Sequence, residues 1–422
     1  MKLEQQEDLE QFKIKSAQST IAERQRRGLT WYPVKIIKEE IGFGGKLVLE
    51  IERPAAQAGL HLFQVGKNAA LFGNIPGRSA TDRPTLSGVI TSVKRNKILL
   101  STNKEDLPDW VEDGKLGVDL TFDEVSYREM EFALGKVMGA YETRLAELRD
   151  VLLGAKPARY RAEAEATLYY PSPLNESQLA AVRHVLAAQD VAIIHGPPGT
   201  GKTTTLVQAI LETIRRERRV LVCAPSNTAV DLLTEKLAER GVNVIRMGNP
   251  SRVSDLLLHH TLDAQIMEHK SYPELKSMRQ TAEQYREQAS KFKRHFGWEE
   301  REQRRLLKEQ AHLMLQDSDN LERYITEDLL DKVQVITCTL VGASNRAIRH
   351  LTYETVFIDE AAQALEPGCW IPITKANRVV LAGDHQQLPP TVKSEKAARD
   401  GLRETLFEKC IHRQPDSARM LE

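Results

Sequence analysis

The sequence predicts an α/β chain: a buried parallel sheet with a helical insertion, joined to a small antiparallel barrel. Three observations predict it. Downstream of Leu174, short apolar runs at 191–194, 220–223, 242–247, 333–337, 355–358 and 378–381 are mostly separated by helix-prone stretches. That is the texture of strands covered by helices on both faces. The first of these runs leads into a glycine-rich turn and then a helical pattern. Upstream, β-rich runs at 34–37, 46–51, 88–93 and 97–100 follow one another across Gly, Asn and Pro breaks, as antiparallel strands do.

In chain order, residues 2–27 are rich in Glu, Gln, Lys and Arg, with Leu9, Phe12 and Ile21 roughly on one face. This reads as a charged stalk helix within 1–29 that has a narrow apolar stripe. The barrel is expected over 30–121, with hairpin turns at Gly44-Gly45 and Arg95-Asn96. Tyr127, Met130, Leu134, Val137 and Met138 recur near helical period, so one long helix is expected over 123–153, with stalk helix and linker together filling 122–160. The sheet-forming core takes 161–422. Its rhythm is interrupted at about 249–330 by a long, polar, helix-prone stretch with breaks at Pro273 and Gly297.

Hydrophobic residues make up 41% and charged residues 28% of the 422, enough apolar content for sizeable cores. Lys and Arg (59) balance Asp and Glu (59). The excess of cations usual in a strongly basic nucleic-acid binder is therefore missing, although a neutral total accommodates a local basic groove. Cys223, Cys338, Cys369 and Cys410 form no CxxC pair, and the eleven histidines are scattered without zinc-ligand spacing. Reduced thiols fit a cytoplasmic protein, or a nuclear one in a eukaryote. No apolar run approaches the ~18 residues that cross a bilayer, so no membrane partner is expected.

Gly196-Pro197-Pro198-Gly199-Thr200-Gly201-Lys202-Thr203 fits G-x-x-x-x-G-K-[ST], with a strand pattern before it and a helical one, from Thr204, after it. Glycines let backbone N–H groups close around phosphates, and the helix start adds partial positive charge. Lys202 is expected on the β- and γ-phosphates and Thr203 on Mg²⁺. Val356-Phe357-Ile358-Asp359-Glu360 is an apolar run ending in two acids. Asp359 suits the Mg²⁺ shell, and Glu360 suits a general base or water-positioning group. ATP and Mg²⁺ are thus the expected cofactors.

Asp359-Glu360-Ala361-Ala362-Gln363 followed by Gly383-Asp384-His385-Gln386-Gln387-Leu388-Pro389-Pro390 resembles superfamily 1 helicases. The closest resemblance is to the group containing the up-frameshift RNA helicase and the immunoglobulin mu-binding protein helicase. Leu174-Asn175-Glu176-Ser177-Gln178, Ala224-Pro225-Ser226-Asn227-Thr228-Ala229-Val230-Asp231 and Thr337-Cys338-Thr339-Leu340 agree with it. The resemblance implies a P-loop NTPase with a RecA-like parallel sheet core, an inserted small β-barrel domain and a helical insertion. It also implies ATP-dependent 5′-to-3′ movement on single-stranded DNA or RNA. Residue by residue, it implies that Gln178 reads adenine with support from Asn175, and that Gln387 contacts the γ-phosphate from a loop ordered by Asp384. Ser226, Asn227 and Thr339 would touch the strand backbone.

Two basic elements lie outside these motifs. Lys94, Arg95 and Lys97 surround the barrel turn, and Lys291, Lys293, Arg294, Arg301, Arg304, Arg305 and Lys308 crowd the insertion beside Phe292, Phe296 and Trp298. Cations interleaved with aromatics suit single strands, but Glu299, Glu300 and Glu302 between them suit a solvated helix equally. No Q-Y-R-M-like segment follows, so a second RecA-like domain is expected to be absent and to come from a second chain or a missing segment. An ATP- and strand-binding module without efficient hydrolysis is the alternative to a motor.

Overall fold

A computed structural model of the chain describes residues 1–16, 20–41, 47–54, 61–75, 83–102, 104, 107–161, 174–248, 253–290 and 298–422. The charged start folds as two helices rather than one, α1 (Lys2–Ser16) and α2 (Ile21–Arg26). Thr20 restarts the chain with a capping box, its hydroxyl accepting the Glu23 N–H while Glu23 reaches back to the Thr20 N–H.

Six strands then close a barrel in the order β1-β2-β5-β4-β3-β6: β1 (Thr30–Ile41), β2 (Leu47–Glu52), β3 (Asn68–Asn74), β4 (Thr85–Lys94), β5 (Lys97–Thr102) and β6 (Lys115–Leu120). Every neighbouring pair is antiparallel. Leu47, Leu49 and Ile51 on β2 and Ile98 and Leu100 on β5 alternate inward and join Trp31, Leu71, Ile90 and Val118 in one core. Register shifts at Ile36/Lys38 and Ile90/Ser92 bend the strands for closure. The Arg95-Asn96 hairpin joins β4 to β5, with Arg95 in the left-handed region at φ 42°. The other anticipated turn, Gly44-Gly45, lies outside the described residues.

The single helix expected over 123–153 is two, α3 (Glu124–Gly139) and α4 (Arg144–Leu152). The chain turns extended at Ala140, takes φ 50° at Glu142, and starts afresh at Thr143, whose hydroxyl accepts the Ala146 N–H at 3.3 Å. The break lets both helices lay their apolar faces on one side of the same sheet.

That sheet has seven strands among the described residues, all parallel: β7 (Val191–His195), β8 (Val220–Ala224), β9 (Val244–Arg246), β10 (Val335–Thr339), β11 (Tyr353–Ile358), β12 (Ala376–Gly383) and β13 (Ala418–Met420), in the order β13-β7-β12-β11-β8-β10-β9. Helix α5 (Glu176–Ala187) precedes β7, and α6 (Lys202–Ile214) and α7 (Asn227–Ala238) follow β7 and β8. Leu206, Ile210, Val185 and Leu233 pack on Ala192, Ile194, Val222, Phe357 and Val380. On the opposite face, Met130 of α3 and Leu148 and Leu152 of α4 join Ile193, Leu221, Ile336, Ile358 and Leu381. Each large apolar side chain buried this way contributes roughly 1.5–3 kcal/mol.

The insertion supplies α8 (Leu262–Glu268) and the hairpin of α9 (Tyr272–Ser290) and α10 (Trp298–Lys332), after which α11 (Glu366–Ile373), α12 (Glu395–Ala397) and α13 (Leu406–Arg413) complete the core. A cleft separates the barrel from the hairpin, lined by Glu39, Glu40 and Ile41 on one side and Arg286, Arg304 and Lys308 on the other.

Candidate nucleotide site and strand groove

The parallel sheet brings the carboxyl ends of β7, β12, β11 and β8 to one edge, where ligands of open α/β sheets bind. His195 ends β7, and the Gly196 N–H donates to the Gly383 carbonyl at 3.3 Å, tying the loop to the end of β12. Thr200 donates its hydroxyl to the Pro197 carbonyl at 2.9 Å and its N–H at 3.4 Å. Gly199 and Gly201 take φ +87° and +78°, conformations that L side chains rarely adopt. Gly201 is also the N-cap of α6, so the loop feeds its amides toward a helix start. Pro198 and Gly199 are exposed at the loop tip, Lys202 is buried, and Thr203 and Thr204 stand on the first turn of α6.

Gln178 stands against this loop, while the side-chain amide of neighbouring Asn175 donates to the Glu422 carbonyl at 3.1 Å. They form the capping box of α5, the Asn175 side chain accepting the Gln178 N–H at 2.9 Å and the Gln178 side-chain Oε1 accepting the Asn175 N–H at 3.0 Å. The Gln178 amide also donates to the Thr200 carbonyl at 2.9 Å. A Cβ on Gly201 would displace that amide, and the φ of +78° there already disfavours any side chain.

The acids sit opposite. Asp359 continues the β11–β8 ladder, its N–H donating to Cys223 at 2.8 Å, and its carboxylate accepts the Glu360 N–H at 2.9 Å. It is 3% exposed. Burial, and then the neighbouring Glu360 charge, push its pKa up to about 6. A carboxylate held in so dry a place is costly without a cation, and this donor chemistry fits Mg²⁺. Glu360 takes φ 50°, an uncommon conformation for a side-chain-bearing residue. Its carboxylate lies 3.7 Å from the Lys202 ammonium.

A hydrogen-bonded chain leads on from Glu360. The Gln363 side-chain amide donates to the Glu360 carboxylate at 3.2 Å and to the Gln387 side-chain Oε1 at 3.1 Å. Gln387 donates to Asp384 at 3.4 Å, and the Gln386 N–H donates to Asp384 at 3.0 Å. Burial acts to raise the Asp384 pKa, but these donors outweigh it and hold the group below the usual carboxylate range. The linking position of Gln363 is not legible in its motif. Nor is the meeting of His195 and His385, 190 residues apart in sequence and 3.1 Å apart beside Asp384. Burial, then the adjacent His385, keep His195 below its ordinary pKa, which favours the neutral ring.

Ser226, Asn227 and Thr339 gather at the ends of β8 and β10, where Leu340 donates to Ala224 at 3.2 Å. Ser226 caps α7 by accepting the Ala229 N–H at 3.1 Å, and Thr339 accepts the Gly342 N–H at 3.1 Å. Asn227 is held by buried Arg246, which donates to it and to Asp231, each at 2.9 Å. Ser226, Thr228 and Leu232 line an open groove that reaches Glu360 and Gln363. At the barrel tip Lys94 and Arg95 are exposed, whereas Lys97 pairs with Glu50 at 3.0 Å. On α10, Arg305 binds Glu302 at 2.5 Å, so this cation is matched by a local acid. Lys291, Phe292, Lys293, Arg294 and Phe296 lie outside the described residues. Among the described residues, no helix is long and apolar enough to cross a membrane.

Comparison with known proteins adds the family. Residues 173–395 match the AAA domain family. The chain is 31% identical over 406 residues to the DNA polymerase alpha-associated DNA helicase A of Schizosaccharomyces pombe, covering 93% of this chain and 59% of that one. It is 30% identical over 423 residues to the DNA-binding protein SMUBP-2 of Rattus norvegicus, covering 97% and 41%. It is 36% identical over 316 residues to the ATP-dependent helicase upf1 of Schizosaccharomyces pombe, covering 70% and 31%. The chain thus spans 59% and 41% of the lengths of the first two relatives. With its parallel sheet, glycine-rich loop and paired strand-end acids, it belongs to the AAA domain family, among the superfamily 1 helicases of the up-frameshift type.

Proposed function

We propose that this chain is the ATP-binding part of a motor that couples ATP hydrolysis to 5′-to-3′ movement along single-stranded DNA or RNA. The observation that carries the reading is the bonded path Glu360–Gln363–Gln387, which joins the hydrolytic carboxylate to the loop over the phosphates and borders the Ser226 groove. The amides of Gly199, Gly201, Lys202, Thr203 and Thr204 form the phosphate cradle; Gly196 and Thr200 shape the loop through N–H groups that donate to Gly383 and Pro197, and Pro197 and Pro198 lack an N–H. Lys202 neutralises the β- and γ-phosphates. Thr203 and Asp359 hold Mg²⁺, which would spread the phosphate charge. Glu360 orients a water and takes its proton as the oxygen attacks the γ-phosphorus and ADP leaves. Gln387 senses the γ-phosphate. Gln178, supported by Asn175, sits where an adenine edge would meet it.

Ser226, Asn227 and Thr339 contact the strand backbone, which positions without reading sequence. Lys94 and Arg95, with Lys97 behind them, add a second contact from the barrel. The barrel and the α9–α10 hairpin act as accessory modules on the core. A second RecA-like domain, from this gene product or a second chain, closes over ATP and brings a further cation, a contribution worth ~10³–10⁵ in rate when it is an arginine finger.

The test is ATP hydrolysis by residues 1–422 with and without a single-stranded oligonucleotide, with Lys202→Ala as control. A Lys202-dependent rate raised by the strand is expected of a motor. ATP and strand binding with background turnover would favour the alternative, a binding module that hydrolyses only with a partner. No strand binding at all would reject both.

A further inference from the structure

We propose that α1 is a coupling strap: Glu4 and Asp8 are positioning residues that tie the barrel-bearing helix α3 to the loop carrying Gln387. The inference rests on the reading above and deepens it with a route between the two ligand sites. Glu4 is 2% exposed, on the first turn of α1. Its two carboxylate oxygens accept the backbone N–H groups of Lys393 and Ser394, each at 2.8 Å. A buried carboxylate is tolerated only with its acceptors filled, so this pair of bonds fixes where the segment leaves the nucleotide site. Asp8, one turn on, pairs with the Lys393 ammonium and accepts the Tyr127 hydroxyl at 2.9 Å.

Both ends of the strap reach working parts. Tyr127 lies on α3, capped by Asp123, and the Asp123 carboxylate accepts the Asn68 amide from barrel strand β3 at 3.3 Å. In the other direction, Leu388-Pro389-Pro390-Thr391-Val392 connects Gln387 to Lys393. Two consecutive prolines restrict the backbone to extended forms, so a shift at Lys393 is carried toward Gln387 rather than absorbed. Gln387 is bonded to Gln363, and Gln363 to Glu360. A strand that moves the barrel therefore acts on the hydrolytic carboxylate through α3, α1 and the proline pair.

The test compares Glu4→Gln, which weakens the double acceptor, and Tyr127→Phe, which removes only the hydroxyl, in the 422-residue chain. Hydrogen exchange is read at Gln386 and Gln387 as well as at Lys393 and Ser394. Expected in Glu4→Gln is faster exchange at all four amides, by at least about fivefold, with protection in β7, β11 and β12 unchanged. In both variants, strand-stimulated kcat is expected to fall by at least about fivefold, while strand-free KM for ATP stays within about twofold. Faster exchange confined to Lys393 and Ser394, or spread evenly over the core, would overturn the strap. So would unchanged stimulation in both variants. If the unmodified chain shows no strand-stimulated hydrolysis, the functional reading fails, and exchange at Gln386 and Gln387 still decides the strap.

Discussion

Asp359 is placed where the fold least tolerates charge, at the dry end of β11 with a second carboxylate beside it. Asp359→Asn keeps the shape and removes the buried charge. In EDTA at neutral pH the variant is expected to be more stable by about 1–3 kcal/mol, read as a higher midpoint in urea, while Mg²⁺-dependent hydrolysis is lost. A less stable variant would mean that the carboxylate is matched within the protein itself. Glu360 separates from Asp359 in this test, because it is partly exposed and, in the function proposed above, acts on water. Glu360→Gln is expected to lower kcat by about 10²–10⁴ with ATP affinity kept within a few-fold. A large loss of affinity would reassign it from chemistry to binding.

Among the elements, Asp190 is the joint between α4, the linker and β7. Its buried carboxylate accepts Arg144 at 2.7 Å, and the Arg159 guanidinium and N–H, both at 2.8 Å. Burial acts to raise its pKa, but the Arg159 and Arg144 bonds prevail and lower it. Because the folded value lies below the unfolded one, the stabilisation is full above the ordinary carboxylate range and is lost as pH falls through the lower folded value. Asp190→Asn is therefore expected to cost about 1.5–3 kcal/mol. The gap in melting temperature from the unmodified chain should stay flat from about pH 8 to 5 and close only below about pH 4. Elements of this kind were unevenly legible in the sequence. The six apolar runs became parallel strands because burial on both faces leaves an unbroken hydrophobic signature. The α3–α4 break was missed although Gly139 closes α3, because the residues whose backbone makes the turn, Ala140, Glu142 and Thr143, are not themselves Gly or Pro. Strand β13 was missed because Ala418-Arg419-Met420 is too short and polar to stand out before β7 pairs with it.

At the level of the whole molecule, the parts of the candidate site legible in the sequence are those contiguous in it: the glycine-rich loop, the paired acids and the Gly383–Pro390 stretch. What it concealed was joined only by folding, as with Glu4 and Ser394 or His195 and His385. The cationic barrel tip falls between these cases, since its charges were visible but their partners were not. Lys97 is paired with Glu50 across β2 and β5, while Lys94 and Arg95 stand exposed at the turn. If the tip tracks a strand, only the last two release counterions on binding. Each neutralised phosphate contributes about 0.7 to the slope of log affinity against log salt for single strands. Lys94→Ala with Arg95→Ala should thus flatten that slope by about 1.4, and adding Lys97→Ala should change it little further. Titrating a labelled oligonucleotide over a salt series measures both steps. An unchanged slope in the double variant would move the strand off the barrel and leave the Ser226 groove as its track. A further drop on removing Lys97 would mean that the strand displaces Glu50 from its ion pair.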